Sequence, residues 1–225
     1  MPVIVDQHMR ERIVHKTDAF PITFFEDELS ELPDREGPLH WHPYFEIARA
    51  ASGTLDYQVG REHILLHAGD SVFVNSNLLH GVRQVAGDAP DPMPIMVFSG
   101  ALIAPETSAI HQKYIAPIAE CGCLPFVVFR RQDDRCGQVH RLLDEIFHCL
   151  RQRPACYELT VQRGLNRLFE YLFHHFDALP KFQSTRVQLR TQVRVQKMLA
   201  YIYAHYPEPV TFADIAAAAS ESRSE

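Results

Sequence analysis

Short apolar runs separated by turn residues fill the front half of the chain and constrain its fold most strongly. Between about Phe20 and Ile103, β-branched and aromatic residues occur in the runs ITFF, FEIARA, LDYQV, HILLH, SVFVN, GVRQV and IMVFSGALI. Gly53, Gly60, Gly69 and the stretch from Gly87 to Pro94 separate them. Many short strands spaced by about ten residues are typical of a double-sheet sandwich or barrel and not of a parallel α/β sheet.

Two amphipathic helical patterns follow the predicted strands. Residues 133–151 place their apolar side chains on one stripe, with Asp133 or Asp134 as the N-cap. Residues 157–177 carry a wider apolar stripe, and Pro154 interrupts the chain between the two patterns. We therefore predict an antiparallel helix pair with one face on the barrel. The excess apolar surface predicts a dimer interface, and a wholly intramolecular hairpin is the alternative.

Composition excludes several classes of protein. The chain has 225 residues and a formal net charge of −6, which argues against a general nucleic-acid or membrane coat. No segment has the length and apolar character of a signal peptide or a membrane span. Five cysteines, an odd number without a CxxC pair, indicate reduced thiols. We expect a cytoplasmic protein with no membrane partner.

A histidine-rich segment, PLHWHPYFEIARAASG, contains several side chains that could bind a metal ion or a polar ligand. If it forms one strand, His40, His42, Tyr44 and Glu46 share a face, because side chains alternate along a strand. A second segment, GDSVFVNSNLLH, is expected to place His80 at the end of a later strand.

These two segments resemble the two motifs of cupins, which are small double-sheet β-barrels. The first motif matches at both histidines, at the glutamate and at Gly53, and the second matches at Gly69 and His80. The second motif departs from the family pattern at Asn75, Asn77 and Gln84. The resemblance spans roughly residues 20–103 and implies a cupin-like or jelly-roll-like barrel.

In enzymatic cupins, the matching three histidines and one glutamate hold a transition metal. The resemblance therefore implies that His40, His42, Glu46 and His80 could bind a divalent ion such as Zn, Ni, Mn or Fe, with positions left open for a substrate. The alternative is that these side chains line a pocket that binds a small ligand without metal, so no cofactor is certain. In both cases we predict a ligand-binding site formed by His40, His42, Tyr44, Glu46 and His80, with Tyr57 and Asn75 as weaker candidates.

The last segment, from Thr191 to Glu225, predicts a helix-turn-helix. Val195, Met198, Leu199, Ile202 and Tyr206 recur at helical spacing, and Pro207 and Pro209 end that helix. Thr211 and Asp214 form a capping-box pattern at the start of a second, alanine-rich helix. Ser222 is then expected to cap a third helix that has only begun when the sequence stops. An ordinary helical hairpin packed on a core is the alternative interpretation.

The string HYPEPVTFADIAAAASESRS resembles the start of the DNA-binding domain of AraC-type transcription regulators and covers about a third of that domain. The family commonly places a cupin-like barrel ahead of this domain, so the two resemblances support each other. The AraC resemblance implies that Ser222, Arg223 and Ser224 begin the recognition helix, and that the helix pair forms a homodimer. It also implies that the polar arm near residues 6–18 folds over the pocket when an effector, such as a sugar, binds. If the polypeptide ends at Glu225, we expect no sequence-specific DNA binding.

The overall prediction is an α+β chain: a double-sheet β-barrel, an antiparallel helix pair and a partial helix-turn-helix. The predicted units are a sensing barrel with its arm over residues 1–130, a dimerisation hairpin over 131–178, a linker over 179–190 and an incomplete DNA-binding domain over 191–225. We predict a ligand-responsive transcription regulator that is not an enzyme, with a small-molecule effector and DNA as partners. The alternative is a metal-dependent cupin dioxygenase or isomerase that uses the same four side chains.

Overall fold

Two antiparallel sheets form the front of the molecule in the computed structural model, which describes residues 5–6, 9–13, 15, 19–27, 29, 32–86, 92–119, 124–175, 194, 197–198, 201–202, 205 and 210–220. The strands are β1 (Ile22–Asp27), β2 (Glu36–His40), β3 (Phe45–Arg49), β4 (Thr54–Val59), β5 (Glu62–His67), β6 (Ser71–Val74), β7 (His80–Ala86), β8 (Met93–Phe98) and β9 (Phe126–Phe129). One sheet has the order β1-β8-β3-β6-β9, and the other has the order β2-β7-β4-β5. The predicted double-sheet architecture is confirmed.

The five-stranded sheet is buried on both faces, and β3, β6 and β8 are accordingly buried at every position except Arg49, which is half-buried. Successive side chains of a strand point to opposite faces. Phe45 and Ile47 of β3 accordingly join the core beneath the helices. Ala48 joins the core between the two sheets, and Glu46, which shares its face, points into the same interior.

The helices follow the barrel strands. A π-helix at His111–Ile115 leads into α1 (Ala116–Ala119), and α2 (Gly137–Gln152), α3 (Tyr157–His175) and α4 (Phe212–Ser220) follow. Short 3-10 turns lie at Pro33–Arg35, Gly100–Leu102 and Asp134–Cys136. The Asp133 carboxylate caps the last of these turns by accepting from the backbone N–H of Arg135 at 3.0 Å. At the other end of α2, Arg153 adopts a left-handed conformation (φ 48°) just before Pro154, which ends the helix as predicted.

Helices α2 and α3 cover the outer face of the five-stranded sheet. Their apolar stripes belong to the same buried cluster as Phe45 and Phe73 of the sheet, so packing within the chain accounts for most of the width of the α3 stripe. Among the described residues of α3, Leu159 (67% exposed) and Phe173 (42% exposed) are the large apolar side chains left in contact with solvent. The homodimer therefore stays a prediction.

Two local predictions about the barrel were wrong, and one strand was missed. The segment from His40 to Glu46 is not one strand: β2 ends at His40 in one sheet, and β3 begins at Phe45 in the other. His80 begins β7 and does not end a strand. Strand β9, which pairs with β6 at the edge of the five-stranded sheet, was not predicted because its four residues stand apart from the earlier strand pattern.

The C-terminal segment is described in part. Residues 194, 197, 198, 201, 202 and 205 are helical, as the periodic pattern predicts. The capping box is confirmed at the start of α4: the backbone N–H of Asp214 donates to Thr211 Oγ1 at 3.3 Å, and the backbone N–H of Thr211 donates to Asp214 Oδ2 at 3.0 Å. The predicted linker and the predicted DNA-contacting residues Ser222, Arg223 and Ser224 lie outside the described residues. Within the described part of the chain, no helix is both long and apolar enough to cross a membrane.

Asp70 holds the turn before β6, and its replacement by asparagine should cost about 2 kcal/mol of unfolding free energy. Its carboxylate accepts from the backbone N–H of His67 (3.0 Å), from the backbone N–H of Arg131 (2.8 Å) and from Nη1 of Arg130 (2.8 Å). Burial acts to raise the pKa of Asp70, but these bonds outweigh it and leave the pKa below its ordinary value. The stabilisation is therefore present above the unfolded pKa and is lost as the pH falls through the folded one.

Urea unfolding of Asp70→Asn at pH 7 and pH 3 measures this contribution. The difference from the wild type should be large at pH 7 and smaller at pH 3. Glu106→Gln makes the same chemical change at an exposed position and should behave like the wild type. Equal stability of Asp70→Asn and the wild type at pH 7 would contradict the assignment.

Candidate functional site

Three histidines and one glutamate converge in the space between the two sheets. They are His40 at the end of β2, His42 in the crossing segment, Glu46 on β3 and His80 at the start of β7. All four are buried, and one ligand atom from each lies within 4.8 Å of the others. The prediction that these residues come together is confirmed, although they come from both sheets and not from one strand face.

Each imidazole ring is oriented by a backbone carbonyl close to it in the sequence. Nδ1 of His40 lies 2.9 Å from the carbonyl oxygen of Pro38, Nδ1 of His42 lies 3.2 Å from that of Tyr44, and Nδ1 of His80 lies 2.8 Å from that of Leu78. A carbonyl oxygen can only accept, so each Nδ1 carries the proton and donates it. In the neutral rings, the lone pair is then on Nε2.

The Nε2 atoms of His42 and His80 face the Glu46 carboxylate. Oε2 of Glu46 lies 3.2 Å from Nε2 of His42 and 3.3 Å from Nε2 of His80. The other oxygen of Glu46, Oε1, accepts a hydrogen bond from the hydroxyl group of Tyr57 on β4. The carboxylate is thus held at both oxygens, and its orientation is set before any ligand arrives.

Burial and mutual charge shift the pKa values of the three histidines and of Glu46. Burial lowers the pKa of His40 to about 3, and the neighbouring His80 acts in the same direction. Burial also lowers the pKa of His80, but the Glu46 carboxylate outweighs it and leaves this pKa raised. Burial alone would raise the pKa of Glu46, yet the charge on His80 holds it well below its usual range. The Glu46 carboxylate thus favours the protonated form of His80, whereas burial disfavours the protonated form of His40.

The donor chemistry fits a divalent transition metal. Nitrogen lone pairs of His42 and His80 pointing at an ionised oxygen repel it unless a cation lies between them. A metal ion removes that repulsion at both rings at once, whereas a proton removes it at one. Histidine ligands whose Nδ1–H donates to a backbone carbonyl are the usual arrangement around protein metals. Imidazole and carboxylate donors suit zinc, iron, nickel or manganese, and when bound such an ion acts as a Lewis acid toward oxygen-bearing ligands.

The region that contains this cluster is similar to a known protein family. A family model described as the cupin domain matches residues 30–93, which include all four clustered residues. Residues 30–93 are thus similar to the cupin domain. This agrees with the resemblance of the two histidine segments to cupin motifs.

The similarity to known proteins extends well beyond the cupin domain. The chain is 25% identical over 222 residues to the uncharacterized HTH-type transcriptional regulator YdeC of Bacillus subtilis (strain 168), which is 99% of this chain and 74% of that protein. An apo variant of ToxT from Vibrio cholerae has a similar fold, with a TM-score of 0.52 and 8% identity over 93% of this chain and 73% of its own. The AraC-like transcriptional activator CuxR matches at 13% identity and a TM-score of 0.39, over 90% of this chain and 64% of its own. The chain is thus similar to an HTH-type transcriptional regulator along 222 residues and to the cupin domain over residues 30–93, as the two sequence resemblances lead one to expect.

The other three residues predicted to line the ligand-binding site, Tyr44, Tyr57 and Asn75, differ in their burial and contacts. Tyr57 is buried and bonded to Glu46, and burial followed by the Glu46 charge raises its pKa well above the ordinary value. Tyr44 is half-buried and stacks edge-on against His15, with ring centroids 4.5 Å apart. The amide nitrogen of Asn75 donates to the carbonyl oxygens of Ile118 (2.6 Å) and Leu124 (3.0 Å), so that side chain ties the barrel to the segment after the π-helix.

Sequence reasoning did not single out Glu11. Its carboxylate lies 3.5 Å from Nε2 of His40, and its side chain is 12% exposed. The contact joins residues far apart in the sequence, and a lone glutamate in a polar arm gives no pattern from which to predict it. The general expectation that the arm folds over the barrel was the only available indication.

Proposed function

We propose that this chain belongs to a ligand-responsive transcription regulator, in which the cupin domain senses a small molecule and the helix-turn-helix segment contacts DNA. The observation that carries the proposal is the similarity to an HTH-type regulator along 222 residues, which includes the helical C-terminal part as well as the cupin domain. Ser222, Arg223 and Ser224 are proposed as the start of the DNA-contacting helix. Homodimerisation and a cytoplasmic location are part of the same proposal.

The sensing site is proposed to be the buried cluster of His40, His42, Glu46 and His80, with a divalent transition metal as its first ligand. The pattern of Nδ1 hydrogen bonds supports this, because it leaves an Nε2 lone pair on each neutral ring. A bound metal with open positions would favour an effector with oxygen donors. A small polar molecule fits that requirement, and a sugar is the example that the family resemblance suggests.

The fold supplies a short path from the site to the helices. Glu46 points into the barrel, while the adjacent residue Phe45 points outward and packs against Phe169 of α3, with ring centroids 5.1 Å apart. A shift of β3 on effector binding would therefore reach α3 through one ring contact. A ligand acts in this way only by its differential affinity for two arrangements.

The experiment combines metal analysis with DNA selection on the full natural gene product. Protein purified without chelator should contain about one transition metal per chain, and it should enrich genomic fragments that share a motif at about 150 mM salt, where non-specific binding is weak. Removal of metal with a chelator should change the enrichment. Binding no tighter than to random DNA, with or without metal, would refute the regulator.

A metal-dependent enzyme is the second candidate, favoured by the complete and buried donor set. It predicts that the metal-loaded protein converts a component of a metabolite mixture, with oxygen consumed if it is a dioxygenase. Mass spectrometry of the mixture before and after incubation measures whether any component is converted. Turnover that disappears on metal removal, together with absence of DNA enrichment, would replace the regulator by the enzyme.

A further inference from the structure

The N-terminal arm is attached to the residue that separates two of the clustered histidines. The backbone N–H of Glu11 donates to the carbonyl oxygen of Trp41 at 2.9 Å, and the backbone N–H of Trp41 donates to that of Met9 at 3.0 Å. The guanidinium group of Arg10 lies over the Trp41 ring, 5.6 Å from its centroid. These contacts fix the arm beside His40 and bring the Glu11 carboxylate to the edge of the site.

Neither Nε2 of the neutral His40 ring nor Oε2 of an ionised Glu11 carries a hydrogen atom that could form a hydrogen bond between them. Nδ1 of His40 carries the ring proton, because it donates to the carbonyl oxygen of Pro38 at 2.9 Å. In the neutral ring, Nε2 therefore presents a lone pair to Oε2 of Glu11, 3.5 Å away. Two atoms that can only accept do not attract each other, whereas a cation that both atoms contact turns the arrangement into an attraction.

A second proton on each of the three rings is not an alternative to one bound cation. The ring centroid of His80 is 4.3 Å from that of His40 and 4.9 Å from that of His42, and the rings are buried. Several imidazolium ions at such distances would repel one another strongly where water cannot screen them. A single dication satisfies the same lone pairs without that repulsion.

Charge balance points to the same arrangement. Glu46 alone leaves a bound dication with one uncompensated positive charge in a buried space, which is costly. The carboxylate of Glu11 supplies the second negative charge and makes the site neutral overall. Its side chain is 12% exposed, so its charge acts on the site with little screening by water.

We propose that Glu11 is a fifth donor of the metal site, supplied by the N-terminal arm, and that a divalent transition metal in the cluster also holds the arm in place. This inference rests on the proposed binding of metal by the cluster. It assigns to one arm residue a role in binding that the four cupin-motif residues do not fill.

The test compares the wild type, Glu11→Gln and Glu62→Gln, all as the full chain. Glu62 is an exposed residue of β5, so its variant controls for the loss of a negative charge. Zn²⁺ affinity is measured by competition with a chelator, and the visible spectrum of bound Co²⁺ reports a change in its ligands. We expect Glu11→Gln to bind Zn²⁺ roughly 10–100-fold more weakly and to alter the Co²⁺ spectrum, while Glu62→Gln behaves like the wild type.

Trypsin supplies a readout of the arm itself, since Arg10 and Arg12 are exposed cleavage sites on either side of Glu11. Zn²⁺ should slow cleavage after both arginines in the wild type and in Glu62→Gln, but not in Glu11→Gln. If Glu11→Gln keeps the wild-type affinity and protection, the inference is wrong and metal binding by the cluster stands. If the wild type binds neither Zn²⁺ nor Co²⁺, the metal proposal fails and this inference fails with it.

Discussion

Replacing Glu46 by glutamine should weaken metal binding by at least about 100-fold, because it removes the buried negative charge at the centre of the cluster. Glu46 is 3% exposed, and its two oxygens contact His42, His80 and Tyr57. Glutamine keeps the size of the side chain but replaces one acceptor oxygen by an NH₂ donor. That donor would face either the Tyr57 hydroxyl or the two Nε2 atoms, and the neutral amide cannot offset the charge of a dication.

Thermal unfolding with and without Zn²⁺ measures the effect. At a free Zn²⁺ concentration of 100 times the wild-type Kd, the metal should stabilise the wild type by about 2.7 kcal/mol, and a variant with 100-fold weaker binding by only about 0.4 kcal/mol. The midpoint of Glu46→Gln should therefore hardly move on addition of Zn²⁺. Glu36→Gln, at an exposed position on β2, should show the full wild-type response.

An equal response of the wild type and Glu46→Gln would contradict the assignment of the cluster as the metal site. The measurement also separates binding from folding, since each variant is compared with itself. A variant that is less stable without metal but responds normally to Zn²⁺ would show that Glu46 serves only the barrel.

Four of the predicted site residues lie together in the structure, although one step of the argument that grouped them was wrong. A single strand from His40 to Glu46 would have put the two histidines and the glutamate on one face, and the chain instead crosses between sheets after His40. The residues still converge because both strands border the same interior. Sequence spacing can identify such a cluster through a family motif, but it cannot tell which strand belongs to which sheet.

Strand β2 and the contact between Glu11 and His40 could not be predicted from local sequence patterns. Strand β2 has the sequence EGPLH, in which glycine, proline and glutamate disfavour a strand. It is a strand because it pairs with β7. Helices α2 and α3 were predicted closely because their apolar stripes repeat over several turns. The contact of Glu11 with His40 depends on how the arm lies over the folded barrel, which no periodicity encodes.

Phe169→Ala should lower the free energy of unfolding by about 3–5 kcal/mol, which is a large part of the stability of a typical domain. Phe169 is 3% exposed on α3, and its ring lies edge-on to those of Phe45, Phe73 and Phe98, with centroids 5.1, 6.1 and 6.3 Å away. Alanine leaves a cavity between the helix and the five-stranded sheet and removes three aromatic contacts. Close packing leaves neighbouring side chains little freedom to fill that space.

Urea unfolding followed by fluorescence and by circular dichroism measures this loss, and coincident transitions establish that one free energy describes it. Leu159→Ala removes a large apolar side chain from the same helix at a position that is 67% exposed, and should change the stability by less than about 0.5 kcal/mol. If Phe169→Ala were no more destabilising than Leu159→Ala, α3 would not be part of the barrel core. The path from Glu46 through Phe45 to the helices would then be lost, because a helix that is not packed on the sheet cannot respond to a shift of β3.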